Sequence, residues 1–92
     1  MKLKPISFYA AYPDGLQLLD GHGFNYKDRS LVVHKQRPPY CEWDKNYHAS
    51  EATAGFCIPI EPTGNRALAA QLVLRAVQNI SDEAWSAAMD AA

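Results

Sequence analysis

The first half of the chain contains short runs in which apolar and polar residues alternate, and this pattern predicts β-strands. In residues 3–12, the apolar Ile6 and Phe8 flank the polar Ser7, as expected for a strand with one buried face. Pro5 has no backbone donor, so it indicates either an edge strand or the point where strand pairing starts. The same reasoning predicts three further strands, at residues 31–33, 40–47 and 56–60.

The segments between these runs are interpreted as connections. Pro13, Asp14 and Gly15 have the composition of a turn, and residues 16–19 fit either a helical turn or a short strand. Gly21 and Gly23 are expected to interrupt any regular element. A loop or ribbon is predicted at residues 24–30 and a polar connection at residues 48–55.

The last third of the chain changes to a helical period. Apolar residues recur at spacings of three and four, at Ala69, Leu72, Val73, Ala76, Val77 and Ile80. Thr63 and Ser81 are the expected N-caps of two helices, because a side-chain oxygen there can accept from the first-turn amides. Trp85 and Met89 lie on the apolar face of the second helix.

Strands first and helices last are typical of an α+β fold. We expect a small antiparallel sheet of three to four strands, with two C-terminal helices packed on one face. The 92 residues correspond to a single domain spanning 1–92.

Charge is distributed unevenly along the chain, although the formal net charge is only −1. Residues 1–37 hold six Lys or Arg and three acidic residues, whereas residues 38–65 hold one Lys and four acidic residues. If the basic residues of the first part converge, they form a basic and aromatic surface suited to a partner. The predicted partner-binding residues are Tyr26, Lys27, Arg29, Lys35 and Arg37. The alternative is a solvated charged loop.

The sequence offers little support for catalysis or for a bound cofactor. The three histidines and two cysteines (His22, His34, His48, Cys41 and Cys57) lack the paired spacing of a zinc site, so no metal and no cofactor are expected. No motif surrounds either cysteine, and both are expected to be buried free thiols. A thiol enzyme remains a third, weaker alternative for the function of the chain. No run is long enough to cross a membrane, so a membrane is not expected as a partner. A small-molecule substrate is not expected either.

The segment from Leu31 to Ile60 has features that resemble small phage proteins. These are the run at Leu31–His34, then Trp43, His48 with Ser50, Thr53–Gly55, and Ile58 with Ile60, followed by an alanine-rich helix. The whole chain resembles the phage anti-CRISPR proteins that inhibit type I-F systems.

This resemblance implies a non-enzymatic inhibitor in the host cytoplasm. Such proteins bind the guide-RNA surveillance complex through its Cas backbone subunits or its DNA-binding channel and block recognition of target DNA. In this chain, the basic residues Lys27, Arg29, Lys35 and Arg37 are expected to add a contact with the guide RNA. The alternative is a small accessory protein that binds nucleic acid directly.

Overall fold

The protein has an α+β fold, seen in a computed structural model that describes residues 2–12, 15–35 and 45–91. One antiparallel sheet contains β1 (Lys4–Tyr12), β2 (Gly15–Tyr26), β3 (Arg29–His34), β4 (His48–Glu51) and β5 (Cys57–Ile58), in that spatial order. The helices α1 (Arg66–Gln78) and α2 (Asp82–Ala91) follow. The predicted class and the two C-terminal helices are confirmed, and β1 is an edge strand, one of the two alternatives that Pro5 indicated. Within the described ranges, the sheet has five strands rather than three to four.

The two helices cover one face of the sheet, which we call the helix face. Leu31 and Val33 of β3 point to this face and form one buried cluster with Val73 and Val77 of α1 and Trp85 of α2. The apolar stripe predicted for α1 is therefore the stripe that packs on the sheet. Because side chains alternate along a strand, Val32 points to the opposite face, which we call the far face.

The far face has its own apolar cluster, formed by Phe8, Ala10, Leu19 and Val32. The predicted interruption at Gly21 and Gly23 is wrong, because β2 runs through both residues. The absence of a side chain at Gly21 is what the packing requires. A Cβ there would lie 2.6 Å from Val32 Cγ2 and 2.7 Å from the carbonyl oxygen of Val33. The rings of Phe8 and His34, on strands that flank β2, have centroids only 4.9 Å apart.

The strand β4 lies where the sequence predicted a polar connection. Its polar residues are buried because hydrogen bonds satisfy them. The Glu51 carboxylate accepts from the backbone N–H groups of Thr53 (2.5 Å) and Ala54 (2.7 Å). Ser50 Oγ lies 2.8 Å from His34 Nε2 on β3. Of the strand predicted at 40–47, residues 40–44 lie outside the described residues and 45–47 are not in a strand.

The helix starts agree only in part with the predicted caps. Asn65, not Thr63, caps α1, since its Oδ1 accepts from the N–H of Leu68 at 3.0 Å. Thr63 instead accepts from the N–H of Asn65. Ser81 is confirmed as the cap of α2, because its hydroxyl accepts from the N–H of Ala84.

The first two strands extend beyond the part of the sheet that the helices cover. Within the described residues, β3 pairs with His22–Tyr26 of β2, whereas Gly15–Gly21 pairs with β1 alone. We call the two-stranded part, residues 6–12 and 15–21, the hairpin arm.

Candidate functional site

The hairpin arm exposes apolar side chains on the helix face. Among the described residues, the exposed large hydrophobic side chains are Tyr9, Leu16, Leu18 and Leu68, and the first three share the arm. Tyr9 is 58% exposed, Leu16 67% and Leu18 49%. Tyr9 is the cross-strand partner of Leu18, so these two side chains lie side by side. We call Tyr9, Leu16 and Leu18 the arm face.

A groove lies on the same face where the arm meets the rest of the sheet. We call it the corner groove; it has a volume of about 260 Å³, and its lining includes Asp20, His22, Val33, Lys35 and Tyr47. The Lys35 ammonium lies 5.0 Å from the centroid of the Tyr47 ring, within the range of a cation–π contact.

The start of α1 adds a second cation beside this groove. Arg66 Nη1 lies 3.0 Å from His22 Nε2. Since a guanidinium can only donate, Arg66 is the donor and His22 Nε2 the acceptor in this contact. The Asn65 cap fixes where α1 begins and so places Arg66 over β2.

The arm face and the corner groove form one continuous surface. Leu16, Leu18, Asp20 and His22 are alternate residues of β2, so all four lie on the helix face. Successive members are about 7 Å apart, and the surface is thus about 20 Å long. Its arm end is apolar and its groove end carries Lys35 and Arg66.

Arg29 is buried within the fold, whereas its predicted role as a partner-binding residue needs an exposed side chain. Its side chain is only 6% exposed and lies over the ring of Trp85, with Cζ 4.5 Å from the ring centroid. Arg29 donates to the carbonyl oxygen of Val77 at 3.3 Å and to Asp82 Oδ1 at 2.7 Å. The residue joins β3 to the end of α1 and the start of α2.

The other predicted partner-binding residues are not brought together. Lys27 lies in the turn between β2 and β3, at 5.6 Å from the centroid of the Tyr26 ring. Lys35 follows the opposite end of β3, and the length of that strand separates the two lysines by about 20 Å. Arg37 lies outside the described residues. Of the four members of the predicted set that the structure describes, only Lys35 lies in the corner groove.

Replacing Arg29 by alanine is expected to lower the free energy of unfolding by about 2 kcal/mol, the usual range for hydrogen bonds to a charged group. Urea denaturation followed by circular dichroism measures this. Lys27→Ala is the matched control, because Lys27 is exposed and its loss should cost less than about 0.5 kcal/mol. Equal effects of the two changes would contradict the structural role of Arg29.

The far face contains a serine–histidine contact of the kind found in hydrolases. Here both His34 and Ser50 are only 4% exposed, and burial lowers the pKa of His34 to about 4, helped by the nearby charge of His48. A nucleophile needs access to a substrate, and a base with this pKa is weak at neutral pH. The contact instead satisfies polar groups where β3 and β4 pair.

Cys57 is exposed and free, which corrects the expectation of a buried thiol; Cys41 lies outside the described residues. Partial burial raises the pKa of the Cys57 thiol, so it is protonated at neutral pH.

The described part of the chain shows neither a metal site nor a membrane-spanning helix. There, no three His, Cys, Asp or Glu side chains are grouped so that they could hold a metal ion. No helix within the described ranges is long and apolar enough to cross a membrane. No protein-family profile, curated protein or solved structure matches the chain.

The residues of the arm face are not among those predicted from the sequence to bind a partner. The available signal was that Leu16, Leu18 and Leu19 place apolar side chains on both faces of one strand. In a sheet covered by helices on one face, such a strand either lies in the core or exposes one of its apolar faces. Recognising this required the knowledge that β2 extends beyond the helices.

Proposed function

We propose that this chain is a non-enzymatic binding protein that contacts a protein partner through the arm face. The observation that carries the proposal is the exposure of Tyr9, Leu16 and Leu18 together on one side of the hairpin arm. Exposed apolar side chains that adjoin one another, rather than lying scattered, mark interaction surfaces in soluble proteins. Leucine and tyrosine side chains on a hydrogen-bonded hairpin also lose little backbone entropy on binding.

The resemblance of the whole chain to the phage anti-CRISPR proteins that inhibit type I-F systems supplies the partner for this proposal. The partner is the guide-RNA surveillance complex of a type I-F CRISPR system, and the chain inhibits recognition of target DNA in the host cytoplasm. The sequence resemblance supports this partner, whereas the arm face supports the binding mode. A protein contact of this kind needs no cofactor and no small-molecule substrate.

Size-exclusion co-migration with the purified complex tests the partner, with and without bound target DNA. Co-migration only without DNA indicates competition for the target channel. Co-migration in both cases places the contact elsewhere and contradicts a block of DNA recognition. The absence of co-migration in both cases contradicts this partner. Salt-sensitive binding of the chain to free single-stranded DNA would instead indicate the alternative function, a nucleic-acid-binding accessory protein.

Leu18→Asp is expected to weaken binding of the complex by about tenfold or more, because it places a charge in the centre of the arm face. Titration calorimetry or surface plasmon resonance measures the dissociation constant. Leu68→Asp is the matched control, since Leu68 is 45% exposed on α1 and the substitution is identical. Equal losses with the two variants would show that the arm face is not the contact.

A further inference from the structure

We propose that the arm face and the corner groove together bind an extended acidic segment of a partner protein. Apolar side chains of that segment lie on the arm face, and a carboxylate lies between Lys35 and Arg66. This inference rests on the proposed function as a binding protein, because it names the chemistry of the segment that this surface recognises.

The shape of the surface fits an extended chain. The alternate residues of β2 from Leu16 to His22 present one side chain about every 7 Å along a line about 20 Å long. An extended peptide has the same repeat, so alternate side chains of a bound segment meet successive positions of this surface. Six residues are enough to reach from the arm face to the groove.

The charges at the groove end favour a carboxylate. Lys35 lines the groove and Arg66 reaches its edge through His22. The contact with His22 occupies one of the five guanidinium donors, and the planar fork of an arginine matches the two oxygens of a carboxylate. Asp20 is the acidic residue of the lining, and its carboxylate accepts a hydrogen bond from Ser7 Oγ at 2.8 Å.

The apolar arm face favours a protein segment over a nucleic acid as the ligand of this surface. Tyr9 is the one aromatic ring of the arm face, and the aliphatic Leu16 and Leu18 beside it offer neither a donor to phosphate nor a surface on which a base can stack. Binding of nucleic acid depends on many cations along the contact, and the cations that the described residues give this surface, Lys35 and Arg66, lie at its groove end. A segment with leucine-like residues followed by acidic residues complements both ends.

The test uses three capped hexapeptides titrated into the ¹⁵N-labelled chain and followed by NMR. Each peptide has two leucines at alternate positions, followed by two glutamates, two glutamines or two lysines. Decathymidylate is the nucleic-acid probe. The glutamate peptide is expected to shift the amides of Leu16, Leu18 and His22, with an affinity on the order of 1 mM. It should bind at least fivefold more tightly than the glutamine peptide.

Charge reversal provides the sharper result. In the double variant Lys35→Glu, Arg66→Glu, the preference is expected to change from the glutamate peptide to the lysine peptide. The variant Arg75→Glu is the control, because Arg75 is exposed on α1 about 14 Å further along the helix than Arg66. The Arg75→Glu variant should keep the preference of the unchanged chain for the glutamate peptide.

Several outcomes overturn the inference. These are equal affinities for the three peptides, shifts confined to other parts of the sheet, no shift with the glutamate peptide, or tighter binding of decathymidylate. If Leu18→Asp abolishes binding of the surveillance complex while the peptides show no charge preference, the inference fails and the proposed function stands. If the peptides show the preference and the complex does not bind, the proposed partner fails and the inference stands.

Discussion

Replacing Trp85 by alanine is expected to lower the free energy of unfolding by about 3–5 kcal/mol, the usual cost of removing a large buried aromatic side chain. Trp85 is the buried residue of α2, and its ring meets Phe56 edge to face at a centroid distance of 5.4 Å. The same ring lies under the guanidinium of Arg29. This side chain thus contacts both the start of β3 and the residue that precedes β5.

Urea denaturation of the Trp85→Ala variant measures this effect, with Phe56 and the tyrosines left in place as spectroscopic probes. Small domains have about 5–15 kcal/mol of stability, so the variant is expected to lose a large part of it. Ser86→Ala, an exposed position on the same helix, is the control and should change the stability by less than about 0.5 kcal/mol. A loss below about 1 kcal/mol for Trp85→Ala would contradict the docking of α2 through this side chain.

The helices could be predicted from the sequence because their determinants are local. The stripe through Ala69, Val73 and Val77 repeats with the helical period, and these residues are the ones that pack on the sheet. Ser81 could be predicted as a cap for the same reason, since the bond it makes reaches only three residues along the chain.

The sheet could be predicted less completely because several of its determinants are distant in sequence. Gly21 is a strand residue since a side chain from a neighbouring strand occupies the space of its missing Cβ. Ser50 is buried in a strand since His34, sixteen residues away, provides its hydrogen bond. Rules for glycine and for polar segments treat such residues as breaks, because they assume that the backbone and side chains are satisfied locally.

The candidate site was predicted least well, and Arg29 shows why. Its positive charge is typical of the protein surface, but Trp85 lies 56 residues later in the sequence and covers it. Conversely, Leu18 is typical of a core, but it lies on the part of β2 that extends past the helices. Charge and hydropathy indicate where a residue type lies on average. The locations of Arg29 and Leu18 instead depend on which parts of the sheet the helices cover.

The arm and the packing around Trp85 lie at different ends of the same sheet face, which separates binding from stability. Trp85 and Arg29 stabilise the end where β2 turns into β3, while Leu16 and Leu18 lie beyond His22 at the other end. Substitutions on the arm face should therefore leave the unfolding free energy within about 0.5 kcal/mol of its original value. This separation is what makes the binding variants interpretable.

The stability of the protein is expected to fall by about 3 kcal/mol between pH 6.5 and pH 4 through His34 alone. Burial, and secondly the charge of His48, lower the pKa of His34 in the folded chain to about 4 from an ordinary value of 6.5. A depressed pKa means that the folded protein binds the proton less well than the unfolded chain. The contribution is thus fully present above pH 6.5 and is lost as the pH falls towards 4.

Urea denaturation at several pH values between 7 and 4 measures this loss, and His34→Gln separates it from the titration of carboxylates. Glutamine has no charge to gain and keeps a polar group beside Ser50, whose Oγ lies 2.8 Å from Nε2 in the original chain. The slope of the stability with pH is the quantity compared, because it does not depend on the stability from which each protein starts. The slope of the His34→Gln variant should be smaller by close to one proton near pH 5. Equal slopes for the two proteins would show that His34 is not a neutral, buried side chain in the folded protein.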